Sequence, residues 1–339
     1  MTVTRYLLLD RMKVQAANGL SSPLTYGFPA LSGFVGFSHA LCRRLRESLA
    51  VNVDGVLVAN HHYRVHRYRP HRYADYTFIQ SRNPILRSGK TAAIVEQAKV
   101  DLTVSLVLRM TVDDDRMLEE CDPAFEEVVT RAVLQMRLCG GSVHGVEEIR
   151  VLSDLADVSL AVLPGFVLND GSDRLVEIQA KLRRTNPNAT GLDALVEQCT
   201  LYQVPEADET ADQDPNDGPT GELSSIGALE EGTDHPLESS GEPINEPVKW
   251  RTKGEAQRGG WYVPIPMGYQ SISAHLDKGA LVNSRSNQYR SVFVESVYGL
   301  GKWEFPTRIA EIGNCFWRYD YERQKEGLFL LTQDQPVRD

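Results

Sequence analysis

At 339 residues the chain is long enough for a substantial core, in two domains or one large elaborated one. Its five cysteines (42, 121, 139, 199 and 315) form no CxxC pair and leave one over, which argues against a disulfide framework and for a reducing, cytoplasmic setting. The net charge of −10 hides an asymmetry: residues 206–246 hold 13 acids and no Lys or Arg, whereas residues 1–112 hold 15 basic residues against six acids.

A basic half joined to an acidic insert is the pattern of a nucleic-acid partner, the alternative being a solvated basic face. The opening MTVTRYLLLDRMKVQ has too short an apolar run for a signal peptide. No run approaches the ~18 apolar residues of a membrane span, so a soluble intracellular protein is expected.

In chain order, YLLLDRMKVQ (6–15) predicts a first strand and SSPLTYGFP (21–29) a Pro/Gly loop. SGFVGFSHALCRRLRESL (32–49) predicts a helix capped by Ser32. Its Phe34, Phe37, Leu41, Leu45 and Leu49 share one face, and His39, Arg43 and Arg46 another. Residues 51–65 read as a strand running into HHYRVHRYRPHRY, and 99–108 as a strand with Val100 to Leu108 on one side and Asp101, Thr103 and Ser105 on the other.

A second helix is expected from Asp122 as cap and Pro123 at its first position, closing at Gly140–Gly141. Either 147–154 or 159–168 supplies a fourth strand. That is strand–helix–strand twice, the ferredoxin-like or RNA-recognition-motif order, with an insertion at about 66–98. Two further helices are expected in GSDRLVEIQAKLRRT and TGLDALVEQCTLYQ. Residues 205–247 are expected to be disordered, and 290–321 to form a strand, a glycine turn and a helix.

HHYRVHRYRPHRY (61–73) holds four of the eight histidines, four arginines, three tyrosines and no carboxylate. A zinc site is disfavoured because a strand removes the helical i, i+4 geometry and the arginines repel a dication. General acid–base cleavage of RNA needs a histidine oriented by a third group, and none is adjacent in sequence. The surrounding positive charge should also lower the histidines' pKa. GFVG (33–36) matches the short GxxG of KH domains, a phosphate-facing helix entry or simply a tight one. The third possibility fits the long stretch best: arginine neutralises phosphate, and Tyr, His and Arg offer stacking planes to a single strand. RNPILRSGK (82–90) continues it with Arg82, Arg87 and Lys90 around a turn.

Longer strings carry a resemblance. QAANGLSSPLTYGFP (15–29), GFSHALCRRL (36–45), RNPILRSGKTAAIVEQAKVDLTVSLVL (82–108), MRLCGGSV (136–143), LPGFVL (163–168), GWYVPIPMGYQSIS (260–273) and FVESVYGLGKW (293–303) resemble one family. It is the crRNA 5′-handle-binding subunit of the type I-F CRISPR surveillance (Csy) complex. The resemblance implies an α+β fold: a ferredoxin-like (RRM/RAMP-type) palm over 1–204 with a β-hairpin thumb inserted at about 66–98. The acidic insert 205–247 and a C-terminal α/β part, 248–339, follow. It implies partnership with crRNA, the large subunit, the first backbone subunit and target DNA near the PAM-proximal end. No cofactor, metal or catalytic residue is implied; an endoribonuclease that processes precursor guide RNA is the alternative. The expected RNA-binding residues are Gln15, Asn18, Arg43, Arg44, Arg82, Asn83, Arg87, Lys90 and Arg137.

Overall fold

The computed structural model describes residues 3–46, 51–71, 73–112, 123–200, 202–205, 250–253, 261–284 and 286–333. Two units separate: Met1–Cys199 with Ala256–Asp339, and Thr200–Glu255. In the smaller, β10 (Tyr202–Pro205) pairs antiparallel with β11 (Trp250–Lys253). Apart from Pro205, the stretch expected to be disordered lies outside the described residues, as does the expected cap Asp122.

The larger unit is built on one curled antiparallel sheet of 13 strands. Its centre is β1 (Val3–Asn18), β2 (Val51–Tyr68) and β5 (Lys99–Val112), with β5 between the other two. Beyond β1 lie β6 (Arg137–Leu138), β7 (Gly141–Gly145) and β8 (Glu148–Leu152); beyond β2 lies β9 (Phe166–Asp170). Of the two alternatives for a fourth strand, 147–154 forms β8, which pairs with β1. The other, 159–168, is strand only from Phe166, where β9 begins and pairs with β2; its earlier residues are the end of a helix and a turn. Off the end of β2 stand β3 (Thr77–Arg82) and β4 (Ile94–Gln97), a hairpin.

Both faces of the sheet are covered, which is why YLLL carries no polar alternation. Leu7 and Leu9 pack on one side with helices α1 (Leu31–Leu45) and α2 (Pro123–Leu134); Tyr6 and Leu8 pack on the other with α3 (Leu155–Ala161) and Phe316. Among the described residues, no helix is long and apolar enough to cross a membrane. Helices α4 (Ser172–Arg183) and α5 (Gly191–Cys199) form where expected.

Three expectations are corrected. Helix α1 starts one residue early, at Leu31 after Ala30, and Ser32 is not its cap; no side chain caps it. Helix α2 stops at Leu134, because Cys139 and Gly140 both take positive φ (50° and 80°) as the two-residue turn of the β6–β7 hairpin. No glycine turn or α-helix follows in 290–321. There β13 (Val294–Glu304) runs straight through its glycines beside β12 (Trp261–Ser271). A Cβ on Gly299 would lie 2.5 Å from Met267 Cγ and one on Gly301 3.0 Å from Ile265 and Leu168, so these glycines make room for neighbouring side chains. Short 3-10 turns then lead to β14 (Arg318–Asp320) and β15 (Leu328–Thr332).

Candidate nucleic-acid interface

The histidine–arginine–tyrosine stretch is the far end of β2, paired with β5 as far as His66 and with β3 at Arg67 and Tyr68. An irregularity in β2 between Asn60 and His62 breaks the alternation. His61 and His66, five apart, therefore both turn onto β5, while His62, Tyr63 and Arg64 are exposed. The guanidiniums of Arg67 and Arg69 lie 4.2 and 5.2 Å from the Tyr76 ring centroid, a cation–π contact that sequence reading missed because Tyr76 lies across an unpredicted turn.

The hairpin base is tied to the loop after β1. Tyr26 meets Phe78 edge to face at 5.2 Å, and Arg67 donates to the Tyr26 hydroxyl at 3.5 Å. Asn18 holds the start of that loop: its amide accepts from the Leu20 N–H and donates to the Leu20 carbonyl, both at 3.1 Å. Gln15, Ser142 and Arg137 form one exposed row across β1, β7 and β6, with Arg137 donating to the Gly140 carbonyl at 3.3 Å. Arg82 ends β3; Asn83, Arg87 and Lys90 follow in the exposed loop, closed by Leu86 N–H to Lys90 carbonyl at 2.9 Å. The side chains of Arg82, Asn83, Arg87 and Lys90 have no hydrogen-bond or ion-pair partner among the described residues. Seven of the nine expected residues therefore gather at one end of the sheet.

Arg43 and Arg44 do not join them. They lie in the last turn of α1, beside the opposite end of β2. At about 3.3 Å per residue, Asn52 and Arg67 are roughly 50 Å apart along that strand. Arg44 donates to the Ala132 carbonyl at 3.3 Å and so ties α1 to α2. The GFVG motif proves to be a packing device on its first glycine: a Cβ on Gly33 would sit 2.6 Å from Cys139 Sγ.

Two β-bulges in β1 set the histidines. At the inner one, Arg11 takes φ 41° and its N–H donates to Ser105 Oγ at 3.0 Å. Ser105 is fully buried; it donates to Asp10 Oδ1 at 2.6 Å and meets His61 Nε2 at 2.6 Å. At the outer one, Ala16 takes φ 55° and its N–H donates to Asp101 Oδ1 at 2.9 Å, while Asp101 Oδ2 meets His66 Nε2 at 2.7 Å. The sequence showed no carboxylate beside the histidines, but folding supplies one to His66. Burial, then Arg11, pushes the His61 pKa down against Asp10 and Glu147. Burial, then Arg43 and Arg46, does the same to His39. Within the 61–73 stretch the expected lowering is found at His61, but burial leads it and the cation is Arg11 rather than an interleaved arginine. Among the described residues, no three His, Cys, Asp or Glu converge as a metal site would need.

Comparison with known proteins decides the family. The family model described as CRISPR-associated protein (Cas_Csy2) matches residues 7–331. The CRISPR-associated protein Csy2 of Pseudomonas aeruginosa (strain UCBPP-PA14) is 32% identical over 344 residues, covering 95% of this chain and 93% of that one. The chain belongs to the Csy2 family. The resemblance carried by the long sequence strings is thereby borne out, and the matched span includes every expected residue from Gln15 to Arg137. The two bulge partners on β5, Ser105 and Asp101, carried no signal beyond being polar positions on an apolar strand.

Proposed function

We propose that this Csy2-family chain is a non-catalytic subunit of a type I-F CRISPR ribonucleoprotein that binds the 5′ handle of the guide RNA. In that role it joins the large subunit to the first backbone subunit, close to the PAM-proximal target DNA. The strand order β7/β8, β1, β5, β2 with α1 and α2 on one face supports a ferredoxin-like palm. The β3–β4 hairpin supplies the thumb.

The observation that carries the reading is the hairpin. Arg82, Arg87 and Lys90 are exposed and have no hydrogen-bond or ion-pair partner among the described residues, near a β2 extension that carries the exposed rings of Tyr63 and Tyr68. Unpartnered cations next to stacking rings are what a single-stranded backbone with splayed bases requires. The mechanism is positioning: phosphate contacts fix the guide, and pairing with the target selects sequence.

The test is the salt dependence of handle-RNA binding by the chain with its large-subunit partner. Alanine at Arg82, Arg87 and Lys90 together should lower the slope of log K against log salt by about 0.7 for each phosphate no longer neutralised, close to two overall. An unchanged slope would place the groove elsewhere. Precursor guide RNA should stay uncut with and without divalent metal. Site-defined cleavage that His66→Ala abolishes while binding persists would make the chain an endoribonuclease, with Asp101 orienting its base.

A further inference from the structure

The end of the sheet away from the hairpin carries a cleft that the guide-binding reading does not use. It measures about 420 Å³, within the ~300–1,000 Å³ range of small-molecule sites. Helix α1 lays His39, Arg43 and Arg46 along one wall, the i, i+4, i+7 face visible in the sequence. The region of β14 supplies Arg318, Tyr319 and Tyr321 opposite.

The aromatic wall is a connected one. His39 meets Tyr319 edge to face at 5.2 Å, and Tyr319 meets Tyr321 at 6.1 Å. Tyr319 is half-buried and held; Tyr321 leaves 62% of its surface open, so a ring face is available for stacking.

The fold accounts for part of this charge and leaves Arg43 over. Basic residues in a helix's last turn ordinarily answer its carbonyl dipole. Arg46, the C-cap of α1, reaches to β2 instead, donating through Nε to the Val51 carbonyl at 3.1 Å and through Nη2 to Asn52 Oδ1. Arg44 is tied to Ala132. Arg43 is exposed and has no hydrogen-bond or ion-pair partner among the described residues. Among the described residues one carboxylate lines the cleft, Asp54, and it accepts from Arg109 Nε at 2.8 Å. A concave site is left with Arg43 open beside Arg46, with its one described carboxylate already engaged and with an open tyrosine ring.

We propose that this cleft is a nucleotide site, taking a phosphorylated nucleoside with its phosphate on Arg43 and Arg46 and its base on Tyr321. The guanidinium fork matches phosphate oxygens, and a tyrosine face stacks on any base. An acidic peptide would use the cations and leave the ring idle, so the pairing of the two favours the nucleotide. The same chemistry comes from a free nucleotide or from the phosphorylated end of an RNA strand. The site lies too far from Arg82, Arg87 and Lys90 to be part of their groove.

Calorimetric titration of the full chain with AMP, UMP, adenosine and inorganic phosphate tests the assignment. Both nucleotides should bind, and each more tightly than adenosine or phosphate alone. Arg43→Gln and Tyr321→Ala, both at exposed positions, should each weaken AMP by about tenfold with an unchanged melting temperature. Competition against AMP separates the sources. Displacement by a short single strand bearing a terminal phosphate, but not by its hydroxyl-ended twin, assigns a strand end; displacement by neither assigns a free nucleotide. The proposal is overturned if millimolar AMP gives no heat, if both folded variants bind AMP like the parent, or if a poly-glutamate peptide binds more tightly than AMP. A chain that binds handle RNA but no nucleotide loses only this inference. A chain that binds AMP but not handle RNA loses only the guide-binding reading.

Discussion

The two bulges of β1 are the same device built twice, five residues apart, and put to different ends. Each places a residue at positive φ, Arg11 or Ala16, whose N–H donates to a side chain on β5. Each brings a β2 histidine, His61 or His66, onto that same β5 side chain. The inner copy is roofed by the turn after α3. Ser105 is fully buried, Asp10 is 4% exposed, and Arg11 clamps Asp10 at 2.8 Å while donating to the Leu163 carbonyl at 3.1 Å. The outer copy has no such roof, and 38% of the Asp101 side chain remains exposed. A polar bulge inside a sheet is a fold constraint; the same bulge at its open end is available to a ligand.

The sharpest way to break this contrast is Ser105→Ala. It strips a buried aspartate of one hydrogen bond and leaves the Arg11 N–H and His61 Nε2 unpartnered. Unsatisfied buried groups cost about 1–3 kcal/mol each before relaxation, so a loss of about 3 kcal/mol is expected in urea unfolding. A loss under about 1 kcal/mol would mean that the inner network does not constrain the fold. Gly165→Ala should follow at about 2 kcal/mol. A Cβ there would lie 2.8 Å from His61 Cε1 and 2.9 Å from the Val162 carbonyl, driving the roof off the histidine.

How much of this could be read from the sequence follows the same division. The strands β1, β2 and β5 were legible because their apolar runs are long, and the family was legible from strings of ten residues and more. The hairpin cations were legible as a cluster because Arg82, Arg87 and Lys90 are close in sequence. The bulges were not. Ser105 and Asp101 read as one polar side of β5, and nothing local says that one of them is roofed by residues about sixty positions on. Arg43 and Arg44 were grouped with Gln15 through the family resemblance and their residue type, and only the strand length between them separates the two ends. The glycines of β13 looked like a turn because their cause, Met267 and Ile265 on the neighbouring strand, is tertiary.

The third prediction uses protons. Burial and Arg11 hold the His61 pKa below its ordinary 6.5, so the unfolded chain binds this proton more readily than the folded one. Stability from neutral His61 is therefore complete above about pH 6.5 and is lost as pH falls through the lowered value. His39 adds to the slope with the same sign. Melting temperatures between pH 7.5 and pH 5 should fall less steeply in His61→Asn than in the parent. Parallel curves would show that His61 is not the titrating group.

The smallest effect should come from Asp101→Asn, and that smallness is the point of the comparison. Asp101 is raised by partial burial, but the hydrogen bonds from the Ala16 N–H and from His66 more than offset this and hold its pKa below the usual 3.8. Its stabilisation is therefore present above that value and disappears as pH drops through the lowered one. The asparagine keeps an oxygen for the Ala16 N–H and loses only the charged half of an exposed pair, which is worth about 0–1 kcal/mol. Unfolding at pH 7 should change by less than about 1 kcal/mol, and the acid-side slope below about pH 4 should flatten. If the proposed guide-binding role holds, handle-RNA affinity should rise modestly, because a negative charge is removed beside Arg64 at that end of the sheet. A destabilisation as large as that of Ser105→Ala would make the outer bulge a second fold constraint and move the proposed RNA-facing edge of the sheet away from it.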